Sequence, residues 1–265
     1  MGNIGMQKSI GVFDSGVGGL SVLAHIHQHL SAESLIYVAD TAYMPYGCKT
    51  AAEVTDRCLK ISDFLVEKGA QAIVVACNTA TAVAINLLRE RYNIPVIGME
   101  PPLKPAVIHS RTGVVGVLAT SGTVSSERFN SLKSRFAADA RLLVQPCPGL
   151  VERIEAGDLT GAETRAILTA YLKPLLEQGV DTLVLGCTHY PYVIPLIGEI
   201  AGDAVTILDT GDAIARELKR QLMLRGRLSQ ESQCGAVQFW STGSPSEKLI
   251  SRLWGQHVDV GQLDI

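Results

Sequence analysis

Charge is scarce in this 265-residue chain: 18% of its residues are charged, against roughly 25% in average soluble domains. Lys and Arg total 23 and Asp and Glu 26, a net charge of -3, so no basic excess exists to hold nucleic acid through its phosphates. No apolar run reaches the roughly 18 residues that cross a bilayer. The opening MGNIGMQKSIGVFDSG lacks the uninterrupted apolar stretch of a secretion signal. Met6 also stands where a myristoylation signal beginning Met1-Gly2 wants Ser or Thr. The six cysteines (Cys48, Cys58, Cys77, Cys147, Cys187, Cys234) include no C-x-x-C pair. That pattern reads as reduced thiols in the cytoplasm, not as a disulfide framework. What the chain has is apolar residues, 47% of the total, which excludes intrinsic disorder and suffices for one large core or two modest ones.

Sliding the chain along itself by 110 residues exposes a duplication. Residues 47–79 and 157–189 align without a gap and share 9 of 33 positions, among them Gly69/Gly179, Val74/Val184 and Cys77/Cys187. Thr50-x-x-Glu53 and Thr160-x-x-Glu163 both read as capping boxes that open a helix, and Gly69 and Gly179 fall where those helices stop. Each helix is followed by an apolar run, Ile73–Val75 or Leu183–Leu185, that reads as a buried parallel strand ending in Cys. A weaker echo pairs residues 10–15 with 115–120, at an offset of 105.

The pattern predicts two pseudo-symmetric α/β units, each a doubly wound parallel sheet with helices on both faces, and an active site in the cleft between them. Residues 1–98 with 211–265 form the first domain, carrying Cys77, and residues 99–210 the second, carrying Cys187. Strands are expected near 9–13, 35–39, 72–76, 94–98, 113–118, 141–145, 182–186, 205–208 and 236–241. A last helix opens on a capping box at Ser244-Pro245-Ser246-Glu247. Ligands of open α/β sheets sit beyond the carboxyl ends of strands, where Asp14, Asp40, Cys77, Thr120, Cys187 and Asp209 fall. Such positions also collect small turn residues, but two equivalent cysteines on duplicated units facing one cleft imply more.

Two thiols on opposite sides of one carbon can invert it, one taking a proton while the other gives one back. One of them must then be a thiolate near neutral pH, although a free thiol titrates at about 8.5. Each cysteine is expected immediately before a helix start, where the dipole and free N–H groups favour an anion. Cys48, Cys58, Cys147 and Cys234 read instead as ordinary buried structural thiols.

The runs FDSGVGGLSVL, VADTAYMPYG, VVACNTATA, ATSGTV and LGCTHYP resemble the motif set of the cofactor-independent aspartate/glutamate racemase family, in the family's order between residues 10 and 211. The resemblance, closest to its glutamate-specific branch, implies interconversion of L- and D-glutamate without cofactor or metal, supplying D-glutamate for peptidoglycan and hence cell-wall synthesis. It implies Cys77 and Cys187 as proton donors and acceptors at the α-carbon. Asp14, Ser15, Tyr46, Gly47, Asn78, Thr79, Thr120, Thr188 and His189 match substrate-binding positions. His189 further matches a histidine that assists the second thiol, and Asp14 is placed to assist Cys77 or meet the substrate ammonium. The resemblance also implies an acidic partner in the segment CPGLVERIEAG, where Glu152 and Glu155 are both available and Glu155 fits the register better. Asp40 matches another family carboxylate, though a turn-forming Asp reads equally well. Met99-Glu100-Pro101-Pro102 departs from the family's Glu-Pro-Gly pattern, which leaves the hinge there open. A homodimer acting on a small-molecule substrate is expected.

His25, His27 and His29 suggest a metal site, but only His25 and His29 share a helical face, so they read as helix surface. Gly16-Val17-Gly18-Gly19 and Gly47-Cys48-Lys49-Thr50 are neither a dinucleotide fingerprint nor a phosphate-binding loop. Rival functions remain: racemisation of a related acidic amino acid such as aspartate, a thiol hydrolase with Cys187 as nucleophile and His189 as base, or a non-catalytic binding module.

Overall fold

A computed structural model describes residues 8–229, 233–243 and 247–265. The chain runs β1 (Ser9–Asp14), α1 (Leu20–His29), β2 (Ser34–Ala39), α2 (Ala51–Glu67), β3 (Ala70–Val75), α3 (Asn78–Arg91) and β4 (Val96–Gly98). It continues α4 (Leu103–His109), β5 (Val114–Ala119), α5 (Ser121–Ser125), α6 (Glu127–Phe136), β6 (Arg141–Pro146), α7 (Leu150–Glu155), α8 (Ala162–Leu176), β7 (Thr182–Gly186), α9 (Ile194–Ala201) and β8 (Thr206–Leu208). The last part is α10 (Gly211–Leu224), β9 (Val237–Ser241), α11 (Glu247–Trp254) and β10 (Val260–Gln262). Two compact units result: the described residues up to Met44, Thr50–Met99 and Gly211 onward make one, and Pro45–Lys49 with Glu100–Thr210 the other. Pro45–Lys49, which the sequence alone puts in the first domain, pack in the second.

The first unit is built on a six-stranded sheet, β10-β9-β2-β1-β3-β4, and the second on a four-stranded one, β6-β5-β7-β8. Every pairing is parallel. The order β2-β1-β3-β4 recurs as β6-β5-β7-β8, so the duplication is present in the fold, and the offset of 105 carries β1 onto β5 end to end. The chain after Gly211 adds β9 beside β2 and β10 beside β9.

The inner strands β1, β3, β5 and β7 are buried on both faces, which is why they read as near-continuous apolar runs and do not alternate. In the second unit Val115, Val117 and Val184 pack with Leu103, Phe129 and Leu132. Leu118, Leu183 and Leu185 face the other way, against Leu150, Leu168 and Leu196. One packing detail is duplicated as well. A Cβ on Gly11 would lie 2.8 Å from Leu65 Cδ1, and one on Gly116 would lie 3.2 Å from Leu175 Cδ1. The paired glycines let equivalent leucines of α2 and α8 close onto equivalent strands.

The helix signals hold unevenly. Thr50 and Glu53 form the reciprocal capping box, and Gly69 and Gly179 end their helices at φ +88° and +84°, a region that favours glycine. Thr160 and Glu163 form no such box: Gly161 occupies the N-cap of α8 without a side-chain cap. Asp158 takes over instead, accepting from the Gly161 N–H at 2.7 Å and from Thr164 Oγ1 at 2.8 Å. A charged acceptor three residues upstream outcompetes the hydroxyl. The expected box at Ser244–Glu247 falls on positions 244–246, outside the described residues. Among the described residues no helix is long and apolar enough to cross a membrane.

Asp181 ties the start of β7 to the approach to β5, accepting from Ser110 Oγ and the Arg111 and Thr112 N–H groups at 2.7, 2.7 and 2.9 Å. Burial works against its charge, but these hydrogen bonds win and bring its pKa to about 2. A carboxyl depressed below its unfolded pKa of about 3.9 stabilises the fold above that pH and loses the contribution as pH falls toward 2. Asp181→Asn should therefore cost about 2 kcal/mol at pH 7, and chemical denaturation at pH 7 and pH 3 should show the deficit shrinking in acid.

Candidate active site

In each sheet the chain leaves its first strand for opposite sides, between β1 and β3 in one unit and between β5 and β7 in the other. The crevice beyond the carboxyl ends at such a switch point is where open α/β sheets bind ligands. Asp14 ends β1 with Ser15 directly after it, and Cys77 follows β3; Thr120 follows β5 and Cys187 follows β7. Each cysteine therefore stands at its own sheet's switch point.

Cys77 is the N-cap of α3, and its Sγ accepts from the Ala80 N–H at 3.5 Å. The α3 dipole and this donor both favour a thiolate. Ser15 Oγ lies 3.9 Å from the sulfur and 3.2 Å from Asp14 Oδ1. Asp14, fully buried, also accepts from the Ser15 and Gly19 N–H groups at 2.6 and 2.7 Å. A Cβ on Gly19 would sit 2.8 Å from Asp14 Cβ, so the glycine of GVGGL is what lets the carboxylate fold back onto this turn. Asn78 and Thr79 are buried in the first turn of α3, and neither Asn78 amide atom has a partner in the protein.

Cys187 differs from its counterpart. After β7 come the turn Thr188-His189 and a 3-10 turn, Tyr190–Val193, before α9. The sulfur thus does not cap an α-helix, contrary to the duplication's promise. In compensation His189 Nδ1 lies 3.6 Å from Cys187 Sγ, and His189 Nε2 lies 2.7 Å from Glu155 Oε1. Burial would lower the His189 pKa, yet hydrogen bonds to Cys187 and Glu155 hold it well above the usual imidazole value. Glu155 ends α7 beside the buried Ile154, whereas Glu152 points to solvent. Thr120 caps α5 by accepting from the Thr123 N–H at 3.2 Å. Gly47 packs on it: a Cβ there would lie 3.2 Å from Thr120 Cβ. Tyr46, buried on the 3-10 turn Tyr46–Cys48, belongs to the same unit.

The Asp/Glu/Hydantoin racemase family model matches residues 10–218. The chain belongs to this family. It is 55% identical over 259 residues to a glutamate racemase of Pseudomonas paraeruginosa, with 97% of each chain covered. Among solved structures it resembles a glutamate racemase of Bacillus anthracis at TM-score 0.86 and 33% identity, with 98% of both chains covered. A glutamate racemase of Francisella tularensis, solved in complex with D-glutamate, gives TM-score 0.84 at 27% identity, again with 98% of both chains covered.

Within this racemase-family chain the remaining candidates are structural. Cys58 and Cys147 are buried, and burial raises both thiols, Cys147 to about 12, so they stay protonated. Cys48 and Cys234 are exposed, not buried as their type suggests. The three histidines of α1 are half-buried, not a free surface: His29 Nε2 meets Asp212 Oδ1 at 2.8 Å, and the His27 ring packs at a tilt against Trp254, 5.6 Å between ring centroids. No group of three or more His, Cys, Asp or Glu among the described residues is arranged for a metal ion. Asp40 forms a two-pronged ion pair with Arg57, at 3.0 and 2.8 Å. Arg57 is not among the residues that motif or strand-end position marks, yet it stands in the apolar stripe Val54, Cys58, Ile61, Leu65 of α2. A charge in a buried stripe signals a buried partner.

Proposed function

We propose that the protein is a glutamate racemase in which Cys77 and Cys187 close on opposite faces of one substrate. The observation that carries this reading is the pair of equivalent cysteines at equivalent switch points, each with its own proton-handling neighbours. One sulfur, as thiolate, takes the α-hydrogen as a proton and becomes a thiol. The electron pair left on the α-carbon delocalises into the carboxylate. The opposite thiol then delivers its proton to the other face and becomes the thiolate, so the reverse reaction uses the same two groups with roles exchanged.

The neighbours fit those tasks. The α3 N-terminus favours the anionic form of Cys77, while an imidazolium held by Glu155 can restore the proton of Cys187. Ser15, Asn78, Thr79, Tyr46, Gly47, Thr120 and Thr188 supply hydroxyl, amide and main-chain groups for the substrate ammonium and carboxylates, and Asp14 can meet the ammonium directly or through Ser15. Asn78 is the most telling of these, since a buried amide without a protein partner costs about 1–3 kcal/mol and makes sense as a ligand group. Asn78→Ala should accordingly raise KM for glutamate about tenfold or more while leaving the melting temperature unchanged or higher; calorimetry beside steady-state kinetics checks both.

The expected setting is the cytoplasm, with D-glutamate passing to cell-wall synthesis and the working unit a homodimer, which sedimentation equilibrium distinguishes from a single chain. The line Cys187–His189–Glu155 also has the order nucleophile, base, orienting carboxylate, which favours a thiol hydrolase as second reading. That reading leaves Cys77 without a task. The decisive assay is circular dichroism of L-glutamate with reduced protein. Decay of optical activity supports racemisation, a flat trace refutes it, and parallel runs with aspartate fix the substrate.

A further inference from the structure

We infer that Arg57 is a positioning residue that staples shut the loop carrying Tyr46 and Gly47, and thereby sets affinity for the substrate; this rests on the racemase reading above. The loop leaves β2 at Asp40 and ends at Thr50, the N-cap of α2. Arg57 stands two turns into α2 with its side chain 2% exposed, and grips Asp40, itself fully buried, through Nε and Nη2. The ion pair therefore joins both ends of the loop. The same guanidinium lies over the Tyr43 ring, 3.9 Å from its centroid, and donates to the main-chain carbonyl of Ile265 at 2.7 Å.

The rest of the loop base is fastened to the end of β9. Thr242 Oγ1 donates to Asp40 Oδ1 at 2.6 Å, Thr41 Oγ1 pairs with Ser241 Oγ at 2.7 Å, and the Ala42 N–H donates to Thr242 Oγ1 at 3.2 Å. The Asp40 N–H donates to the Asp14 carbonyl at 2.9 Å, so the staple is continuous with the end of β1. Asp40 thus acts through Arg57 and the loop, with its carboxylate committed to the staple.

A loop held closed at its base loses less freedom when it orders over a ligand, and that saving appears as affinity. Removing the staple should raise KM and leave the chemical step nearly intact. Arg57→Met alone strands the buried Asp40 charge and endangers folding. The double variant Asp40→Leu/Arg57→Met removes both charges and keeps an apolar fill, so it is the informative protein. We expect its KM for glutamate to rise about tenfold with kcat within about threefold, and amide hydrogen exchange over residues 41–49 to quicken. Arg57→Lys, which keeps the charge but not the fork, should fall between. An unchanged KM with unchanged exchange, or a fall in kcat at constant KM, overturns the inference. Should the parent protein not turn over glutamate, the racemase reading fails, and the exchange rates of residues 41–49 still decide the staple.

Discussion

Cys77→Ser and Cys187→Ser are each expected to lower kcat for glutamate racemisation by about a thousandfold, within the ~10²–10⁴ span for loss of a general acid or base. Serine keeps the shape but not the acidity: a thiol titrates near 8.5 and can be tuned lower, whereas an alcohol stays protonated. The two variants should fail in complementary ways. Each retains one working sulfur on one face, so each should still exchange the α-hydrogen of one enantiomer with solvent deuterium, and the preferred enantiomer should differ between them. Proton NMR in heavy water reads this directly. A thiol hydrolase would respond to Cys187→Ser alone.

Glu155→Gln is the second large effect. Glu155 and Cys187 together hold the buried His189 pKa up against the opposing pull of burial, and an uncharged amide supports an imidazolium less well. We expect kcat to fall about tenfold to a hundredfold, with the alkaline limb of kcat/KM displaced to lower pH. Stability should follow the same proton. A histidine whose folded pKa is raised stabilises the fold fully below its unfolded pKa of about 6.5 and loses that contribution as pH rises through the folded value. The melting-temperature gap between parent and variant should thus be widest in mild acid and close at high pH. A constant gap with an unmoved kinetic limb would mean that Glu155 serves packing only.

The parts of this site that were legible in the sequence are those fixed by short-range pattern. Apolar runs of four to six residues followed by Asp, Thr or Cys mark β1, β3, β5 and β7 and point to their carboxyl ends as the candidate site. The internal repeat pairs Cys77 with Cys187 from pattern alone. Between Glu152 and Glu155 the resemblance to the family favours Glu155 by motif register, and it is Glu155 Oε1 that meets His189 Nε2 at 2.7 Å.

What stayed hidden depends on contacts distant in sequence. Three residues are too few for β10 to show a period, and its strand character comes from pairing with β9. Residues 45–49 belong with the second unit because Gly47 packs against Thr120 and Gly122, some 75 positions away. The repeat also misled where the copies diverged: Asp158 replaced the Thr160 cap, and the turn after Cys187 replaced a helix start with the His189–Glu155 pair. Divergence of this kind fits the proposed racemase, in which the two sulfurs would meet different faces of an asymmetric substrate.

The most direct test is a crystal structure of the protein with D-glutamate bound. The account predicts Sγ of Cys77 and Sγ of Cys187 in contact with opposite faces of the same α-carbon, with Asn78 hydrogen-bonded to the ligand. A ligand whose α-carbon touches only one of the two sulfurs would contradict it.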